Sequence, residues 1–203
     1  AVLAEQWGSK SRPVDFYDAK SDVEALLHPH QARYQAATDH PAFHPGRCAS
    51  ISMDGVIVGY VGELHPSWVQ QYDLGTAPQL FELDLSVLQN RVLPKAVELA
   101  KAPAVRRDIA VIVDENVPAQ ALLDTLNAIN APLLKEVALF DVYSGKGIEE
   151  NKKSLAFKLI LQDTYKTLVD QEVEAIVAAC LNSLATEHQA YLTYAQSRYR
   201  WGK

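Results

Sequence analysis

The chain has 203 residues, of which 48% are hydrophobic and 22% charged, as expected for a globular protein with one large or two medium domains. Its formal net charge of −6 argues against a protein that binds nucleic acid through bulk positive charge. Because no apolar run approaches the roughly 20 residues needed to cross a bilayer, a membrane protein is not expected.

Charge is distributed unevenly along the chain. Residues 1–99 carry 7 basic and 12 acidic side chains, whereas residues 100–203 carry 12 and 13. The basic groups of the second half cluster at 101–107, 146–158 and 198–203. Such clusters favour RNA binding through a few placed contacts, and neither a membrane nor DNA is expected as a partner.

The cysteines indicate the cellular compartment of the protein, and the amino-terminal residues indicate whether the sequence is a piece of a longer one. Cys48 and Cys180 supply neither a disulfide framework nor a zinc ligand set, which favours a reducing, cytoplasmic location. The sequence opens on AVLAEQW, without an initiator methionine or a signal peptide. We therefore expect a piece of a longer cytoplasmic protein.

The first half begins with strand-like and helical patterns. Residues 14–20 have the pattern of a short strand, and residues 21–37 that of a helix with Ser21 or Asp22 as its N-cap. The proline-punctuated segment at 40–48 predicts a loop.

More strands follow in the first half. Two β runs within 49–64 flank Asp54 and Gly55, a pair that accepts positive φ and therefore predicts a hairpin. Segment 79–88 alternates as a further strand. The residues expected to share one face of it are Phe81, Leu83 and Leu85. Several strands with one helix predict a mostly antiparallel α+β domain over 1–95.

After an expected linker at 93–103, the second half alternates strands and helices. Its segments are a strand at 106–114, a helix at 117–130, strands at 137–143 and 153–162, a helix at 171–184 and a short strand at 189–194. Pro118 lies near the first turn of the first helix, and Asp170 is expected to cap the second. The order βαββαβ predicts a ferredoxin-like domain over 96–203.

In a βαββαβ domain both helices cover one face of the sheet, so alternation tells which strand residues lie on the open side. The uniformly apolar set within 153–162, expected to face the helices, is Leu155, Phe157, Leu159 and Leu161. Ser154, Ala156 and Lys158 are then expected on the open side.

The same logic applied to 137–143 predicts that Phe140 and Val142, which share a face with Ala138, pack inward. Asp141 and Tyr143, together with Leu139, then face outward. An open sheet face with tyrosine, aspartate, serine and lysine resembles a platform for single-stranded RNA, where stacking on a ring is worth about 1–3 kcal/mol per base. Periodicity alone leaves open that these side chains merely face solvent.

Two glycines flank a lysine in SGKG (144–147), which raises the alternative of a phosphate-binding loop. The segment matches neither G-x-x-x-x-G-K-[ST] nor G-x-G-x-x-G, and it joins a strand to a strand. A phosphate cradle requires a helix N-terminus directly after it. The segment is therefore interpreted as a flexible connection.

Several long motifs, covering about residues 13–193, resemble one known family. Motifs similar to the C-terminal anticodon-binding domain of the bacterial phenylalanyl-tRNA synthetase β subunit are APAVRRDIAVIVDENVP, LFDVYSGKGI, KKSLAFKLILQ and TLVDQEV. Motifs similar to the domain before it, an inactive relative of the class II synthetase core, are DFYDAKSDVEALL, HPAFHPGRCASI, GYVGELHP and FELDL.

The resemblance implies an α+β fold, with an antiparallel-sheet class II synthetase-like domain at 1–95 and a ferredoxin-like anticodon-binding domain at 96–203. It implies a C-terminal part of an (αβ)₂ heterotetramer that attaches phenylalanine to tRNA(Phe) using ATP and Mg²⁺. In that family the chemistry belongs to the α subunit, and an editing module precedes the region resembled here. No catalytic residue and no cofactor are expected in this fragment itself.

Family residues carry over by motif. The aspartate and tyrosine of F-D-x-Y and the serine of K-S-L-A-F correspond to Asp141, Tyr143 and Ser154. The resemblance implies that Tyr143 stacks on an anticodon base and that Asp141 and Ser154 hydrogen-bond to base or sugar. Weaker candidates for contacts with the RNA backbone are Arg106, Arg107, Lys153 and Lys158.

The chain also departs from family patterns. Thr193 stands where family members commonly have an arginine, and the aromatic, basic tail at 194–203 has no assigned role. Nothing resembles the [FYH]-R-x-E or G-x-G-x-x-R motifs that clamp ATP in an active class II core. ATP chemistry is therefore not expected in this fragment.

Two other classes of function are alternatives to RNA binding. One is a regulatory domain of ferredoxin-like fold that binds a small ligand such as an amino acid. The other is a hydrolase built on a metal site formed by His40, His44, Glu63 and His65. Since these four residues lie in loops or beyond a hairpin, nothing in the sequence fixes their mutual geometry, and no metal site is expected.

Overall fold

The computed structural model of the protein describes residues 7–8, 12–89, 96 and 98–192. The chain divides into two units, Ala1–Lys95 and Ala96–Lys203. Both contain helices and antiparallel sheets, as the α+β prediction required. Part of the predicted linker, as well as Thr193 and the tail after it, lies outside the described residues.

The first described element of the first unit is helix α1 (Phe16–Leu27), which is fixed at its start by a reciprocal cap. The Asp15 carboxylate accepts hydrogen bonds from the N–H groups of Tyr17 (2.9 Å) and Asp18 (3.3 Å). The Asp18 carboxylate in turn accepts one from the N–H of Asp15 (2.8 Å). Three backbone donors that helix geometry leaves without partners are thereby satisfied.

This cap corrects two predictions. Residues 14–20 do not form a strand, and the N-cap is neither Ser21 nor Asp22, because the helix has already begun at Phe16. The helix also ends earlier than predicted, at Leu27. Pro29 disfavours helical backbone at His28, the residue before it. Strand β1 (Arg33–Ala36) then occupies the end of the segment expected to be helical.

The sheet of the first unit is an antiparallel meander. After β1, the elements of this unit are β2 (Phe43–Met53), β3 (Val56–Leu64), α2 (Pro66–Gln71), β4 (Gln79–Leu83) and α3 (Leu85–Gln89). Strand β1 pairs with β2, β2 with β3, and β3 with β4. The hairpin predicted at Asp54 and Gly55 is confirmed, since both have positive φ (49° and 81°) between β2 and β3.

Two boundaries differ from the prediction. The proline-punctuated segment is only partly a loop, because β2 begins at Phe43. Leu85 does not continue β4 but begins α3 and is 66% exposed. Asp84 causes that change of structure: its carboxylate accepts from the N–H of Ser86 (2.9 Å) and its carbonyl from that of Val87 (3.1 Å), the arrangement of a helix start.

Helix α1 covers one face of this sheet. Its buried residues, which recur at helical spacing, are Ala19, Val23 and Leu27. They join a cluster completed by buried strand residues, which are Ala49, Ile51 and Val61. Burial of each large aliphatic side chain contributes roughly 1.5–3 kcal/mol, so this contact is what holds the helix to the sheet.

The second unit has the predicted βαββαβ order. Its elements are β5 (Val105–Asp114), α4 (Ala119–Ala128), β6 (Leu134–Tyr143), β7 (Lys152–Leu161), α5 (Asp170–His188) and β8 (Tyr191–Leu192). The strands pair antiparallel in the order β6-β7-β5-β8. Asp170 is the first residue of α5 rather than its cap; the cap position belongs to Val169, whose N–H donates to the Glu172 carboxylate (3.2 Å).

The core of the second unit lies between the sheet and its two helices. All four residues predicted to face the helices from β7 are at most 1% exposed. They pack with buried residues of the neighbouring strand and both helices, which are Ile109, Val111, Val113, Leu122, Leu126, Val173, Cys180 and Leu184. Both helices pack on this side, and no helix of the described residues of this unit covers the other face of the sheet. We call that other face the open face.

Among the described residues, no helix combines the length and apolar character required to cross a membrane.

Candidate nucleic-acid interface

The register between β6 and β7 determines which β6 side chains reach the open face. Val137 lies opposite Leu159 and Leu139 opposite Phe157, so both face the helices. The next pairing joins Asp141 to Ala156. One residue of β6, Phe140, is therefore extra, which is the definition of a β-bulge.

This bulge corrects part of the predicted alternation. Leu139 was expected outward, but it packs against the core. Ala138 and Phe140 were expected inward, but Ala138 lies opposite Lys158 of the open face and Phe140 is 52% exposed. Val142 is opposite the helix-facing Leu155, as expected, yet it is 55% exposed.

Beyond the bulge, Asp141 and Tyr143 lie on the open face, as predicted. Asp141 is opposite Ala156, and Tyr143 is opposite Ser154. Asp141 and Tyr143 are both exposed, and Ser154 is half-buried. The three residues taken as candidate RNA contacts are thus neighbours on one surface: two belong to the edge strand β6, and the third belongs to the adjoining strand.

The turn after β6 holds the ring of Tyr143. Its hydroxyl donates to the backbone carbonyl of Lys146 (3.1 Å). The ring also lies against Gly145, where an added Cβ would be 3.1 Å from the hydroxyl oxygen and 3.3 Å from Cζ. The segment SGKG, interpreted from sequence as a flexible connection, therefore positions the aromatic side chain while leaving it 47% exposed.

The four weaker candidates divide between the two faces. Arg106, opposite Ile160, and Lys158 lie on the open face. Arg107 is opposite the helix-facing Leu159 and approaches Asp170 at the start of α5 (3.7 Å). Lys153 also lies on the helix-facing side, where its ammonium group donates to the carbonyl of Glu115 (2.8 Å). The structure therefore does not bring Arg107 and Lys153 together with the other candidates.

Cations on the open face are paired with carboxylates. Arg106 donates through two nitrogens to Asp108 (2.8 and 3.0 Å), and this ion pair raises the pKa of the guanidinium. Lys158 lies 2.6 Å from Glu136. Lys152, which the sequence did not single out, is paired with Glu149 in the same way. The described cations of the open face are therefore largely neutralised by carboxylates.

Lys152 lies beside Tyr191, an aromatic residue that the sequence also did not single out. Tyr191 of β8 pairs with Ile112, which β5 places opposite Ser154. The Lys152 ammonium lies 4.7 Å from the centre of the Tyr191 ring and 2.8 Å from Glu149. The alternation of β5 and β8 contained this signal, because Tyr191 pairs with Ile112 on the face that carries Ser154.

Phe140 is an aromatic residue for which the sequence predicted the wrong face. The guanidinium carbon of Arg106 lies 5.7 Å from the centre of its ring, within the range of a cation–π contact. A sequence signal for it exists: apolar residues at 137 and 139 are followed directly by another at 140, which breaks strict alternation.

The three histidines of the alternative metal site make local contacts in the first unit. His40 contacts Glu82 (3.1 Å) and packs on the rings of Phe43 and Tyr60 at 4.8 and 4.5 Å between centres. His44 accepts from the N–H two residues later, and the His65 ring caps α2. Within the described ranges there is no group of three or more His, Cys, Asp or Glu side chains arranged to hold a metal ion.

Comparison with known families assigns most of the chain. Residues 100–193 match the family model described as "Ferredoxin-fold anticodon binding domain". Residues 1–85 match the model described as "Phenylalanyl tRNA synthetase beta chain CLM domain". The two matches fall on either side of the division between the two units of the structure.

Curated proteins of high similarity carry one name, the phenylalanine–tRNA ligase β subunit. That of Nitrosospira multiformis is 52% identical over 191 residues, covering 94% of this chain and 24% of the relative. That of Chromobacterium violaceum is 54% identical over 181 residues, covering 89% and 23%. That of Dechloromonas aromatica is 52% identical over 174 residues, covering 86% and 22%. This chain spans about a quarter of the length of these relatives.

Proposed function

Because this chain belongs to the phenylalanine–tRNA ligase β-subunit family, as its motifs predicted, we propose that its second unit binds the anticodon of tRNA(Phe) on the open face. The observation that carries this proposal is the grouping of Tyr143, Asp141 and Ser154 on that face, with both the ring and the carboxylate exposed.

Each of the three side chains offers a different interaction. The Tyr143 ring stacks on an unpaired base, which is worth about 1–3 kcal/mol. The Asp141 carboxylate accepts hydrogen bonds from N–H groups on a base edge or from a ribose 2′-OH, and the Ser154 hydroxyl donates or accepts. Stacking gives affinity with little sequence preference, whereas the polar groups supply discrimination between bases.

The pairing of cations with carboxylates defines how the surface binds. Arg106 and Lys158 are both compensated by carboxylates within 3.0 Å. Neutralisation of phosphates therefore contributes little, and affinity depends on stacking and on base contacts. We accordingly propose a shallow dependence of binding on salt concentration, unlike that of a surface rich in unpaired Lys and Arg.

The first unit has a different proposed role. We propose that it is an inactive class II synthetase-like domain that supports the α subunit within an (αβ)₂ ligase in the cytoplasm. In that assembly the α subunit performs the chemistry with ATP and Mg²⁺. The residues of this chain do not fit an ATP site of their own, because the [FYH]-R-x-E and G-x-G-x-x-R motifs that clamp ATP are lacking from the sequence.

The proposal is tested by titrating the 203-residue chain with a fluorescent tRNA(Phe) anticodon stem-loop and following anisotropy. Tyr143→Ala is expected to weaken binding by about 1–3 kcal/mol, the value of one stacked base, with an unchanged circular dichroism spectrum. Tyr165→Ala is the matched control, since Tyr165 is 74% exposed but lies beyond β7, outside the sheet.

Two results would contradict the proposal. One is equal loss of affinity in both tyrosine variants, which would mean that Tyr143 has no specific role. The other is lack of binding by the parent chain; a calorimetric signal on addition of free phenylalanine would then support an amino-acid-binding domain instead.

A further inference from the structure

The ring of Phe140 is displayed on the open face rather than buried. The bulge between Leu139 and Asp141 leaves Phe140 without an opposite residue on β7, and 52% of its surface is exposed. Burial of a phenylalanine normally contributes to stability, so packing alone does not account for an aromatic side chain held in this position.

The guanidinium group of Arg106 lies next to this ring, and its orientation is fixed by Asp108. Arg106 belongs to β5, whereas Phe140 belongs to β6, and β7 lies between them. The Arg106 side chain therefore crosses β7 to bring its guanidinium carbon within 5.7 Å of the ring centre. Asp108 holds two of its nitrogens at 2.8 and 3.0 Å, which fixes the plane of the guanidinium group.

Aromatic rings and guanidinium planes are the two protein surfaces on which unpaired nucleobases stack. Here the two types of surface occur together, on the same face as Tyr143. Phe140 precedes Tyr143 by three residues along β6, which corresponds to roughly 10 Å at about 3.3 Å per residue. A single base cannot cover both rings at that separation, but two bases of one strand can.

We propose that Phe140 and Arg106 form a second nucleobase-stacking site on the open face, and that it binds a different nucleotide of the same RNA from the one on Tyr143. This inference rests on the proposed function, because it takes the ligand to be a single-stranded RNA loop. The first site is at the end of β6, and the second is at the bulge.

The first test compares variants of the 203-residue chain in the stem-loop titration. Phe140→Leu keeps an apolar side chain but removes the ring, and it is expected to weaken binding between about 5-fold and 150-fold, the range for one stacked base. Phe140→Trp is expected to retain or improve affinity. Val142→Ala is the control, because Val142 is exposed to a similar extent but lies opposite the helix-facing Leu155.

The role of Arg106 is separated from simple charge by Arg106→Lys. Lysine keeps the positive charge but has no planar group on which a base can stack. A loss of affinity of several-fold in Arg106→Lys, with an unchanged salt dependence, is expected. If Arg106→Lys binds as the parent chain does, the guanidinium plane has no part in the site.

The second test assigns nucleotides. Abasic substitutions are introduced one at a time at the loop positions, and each RNA is titrated against the parent, Tyr143→Ala and Phe140→Leu chains. The effect of Phe140→Leu is expected to vanish at one abasic position and that of Tyr143→Ala at another. Effects that vanish at the same position would overturn the second site.

The outcomes also separate this inference from the function on which it rests. Strong binding by the parent, weakened by Tyr143→Ala but not by Phe140→Leu, refutes the second site alone. Lack of binding by the parent chain refutes both. If Phe140→Leu also alters the unfolding midpoint, the second site is still tested by titrating that variant with the intact and the abasic RNAs. Any loss of folded protein affects both titrations of the same variant equally.

Discussion

The Tyr143 ring lies beside Gly145, so that a side chain at position 145 would press on the ring. An added Cβ would lie 3.1 Å from the tyrosine hydroxyl oxygen and 3.3 Å from Cζ. The hydroxyl group also donates to the carbonyl of Lys146 (3.1 Å). The orientation of the proposed stacking ring is therefore set by the turn after β6 as well as by the sheet.

Gly145→Ala is accordingly expected to reduce RNA affinity by displacing the ring of Tyr143. The expected loss is about 3-fold to 10-fold, less than that of Tyr143→Ala, because the ring is moved but not removed. Gly147→Ala is the matched control: its φ of +95° also strains an alanine backbone, as does the φ of +157° at Gly145, but an added Cβ at Gly147 meets no described atom within 4 Å. The measurement is the stem-loop titration, and equal losses in both variants would show that turn strain alone is responsible.

The cap of α1 predicts a dependence of stability on pH. Hydrogen bonds from the Arg12 guanidinium (2.6 and 2.8 Å), and then one from the backbone N–H of Asp15 (2.8 Å), lower the pKa of Asp18 from 3.8 to about 2. A carboxylate whose pKa is lowered by folding stabilises the native state above its unfolded value. That stabilisation is lost as the pH falls from about 4 to about 2.

Asp18→Asn is therefore expected to lower the urea midpoint at pH 6 and to flatten its decline between pH 4 and pH 2. Asp22→Asn, at an exposed position in the middle of the same helix, should leave the shape of the curve unchanged. Midpoints measured at half-unit intervals test the difference. Parallel curves of urea midpoint against pH for the parent chain and Asp18→Asn would show that Asp18 does not cause the pH dependence.

Strict alternation predicted the faces of β7 correctly because β7 pairs with β5 without a bulge. From Leu155 to Leu161, every second residue is apolar and every one of them is buried. The start of α1 was missed for a physical reason: Phe16 and Tyr17 have strand propensity, and the reciprocal cap between Asp15 and Asp18 overrides it.

The candidate site was predicted in part. Alternation identified the open face of β7, and the family motif identified Asp141 and Tyr143. Their place on that face agrees with the register, although their role in RNA binding stays a prediction. Alternation failed at Phe140 because it assumes one residue per step of the ladder, and a bulge adds a residue whose position depends on pairing with β7.

A buried hydroxyl group links the two helices of the second unit and gives a third prediction. Thr125 of α4 is 7% exposed, and its hydroxyl lies 2.7 Å from the Glu187 carboxylate and 2.8 Å from Nε2 of His188, both on α5. Thr125→Val keeps the shape but loses these bonds. It is expected to lower the free energy of unfolding by about 1–2 kcal/mol.

Thr125→Ser serves as the control for this change, since it retains the hydroxyl group and removes only a methyl group. Urea unfolding followed by circular dichroism measures both variants. A smaller loss in Thr125→Val than in Thr125→Ser would mean that methyl packing, and not the hydrogen bonds, is what position 125 contributes.

Gly59 is required by the close approach of two strands in the first unit. It lies in β3 opposite Leu83 of β4, and an added Cβ would be 2.0 Å from the carbonyl oxygen of Glu82. That atom belongs to the backbone, so the clash is relieved only by moving β4. Gly59→Ala is therefore expected to destabilise the first unit by about 2–3 kcal/mol. Gly46→Ala in β2, where the nearest atom is in the His44 ring at 3.5 Å, should cost much less.

Hydrogen–deuterium exchange read peptide by peptide localises this effect. In Gly59→Ala, amides of β3 and β4 should exchange faster, because their shared ladder opens more often, while amides of β5 and β7 keep the rates of the parent chain. Faster exchange throughout both units would mean that the substitution acts on the whole chain. Unchanged exchange in β4 would show that the two strands have room for a methyl group, contrary to the 2.0 Å approach.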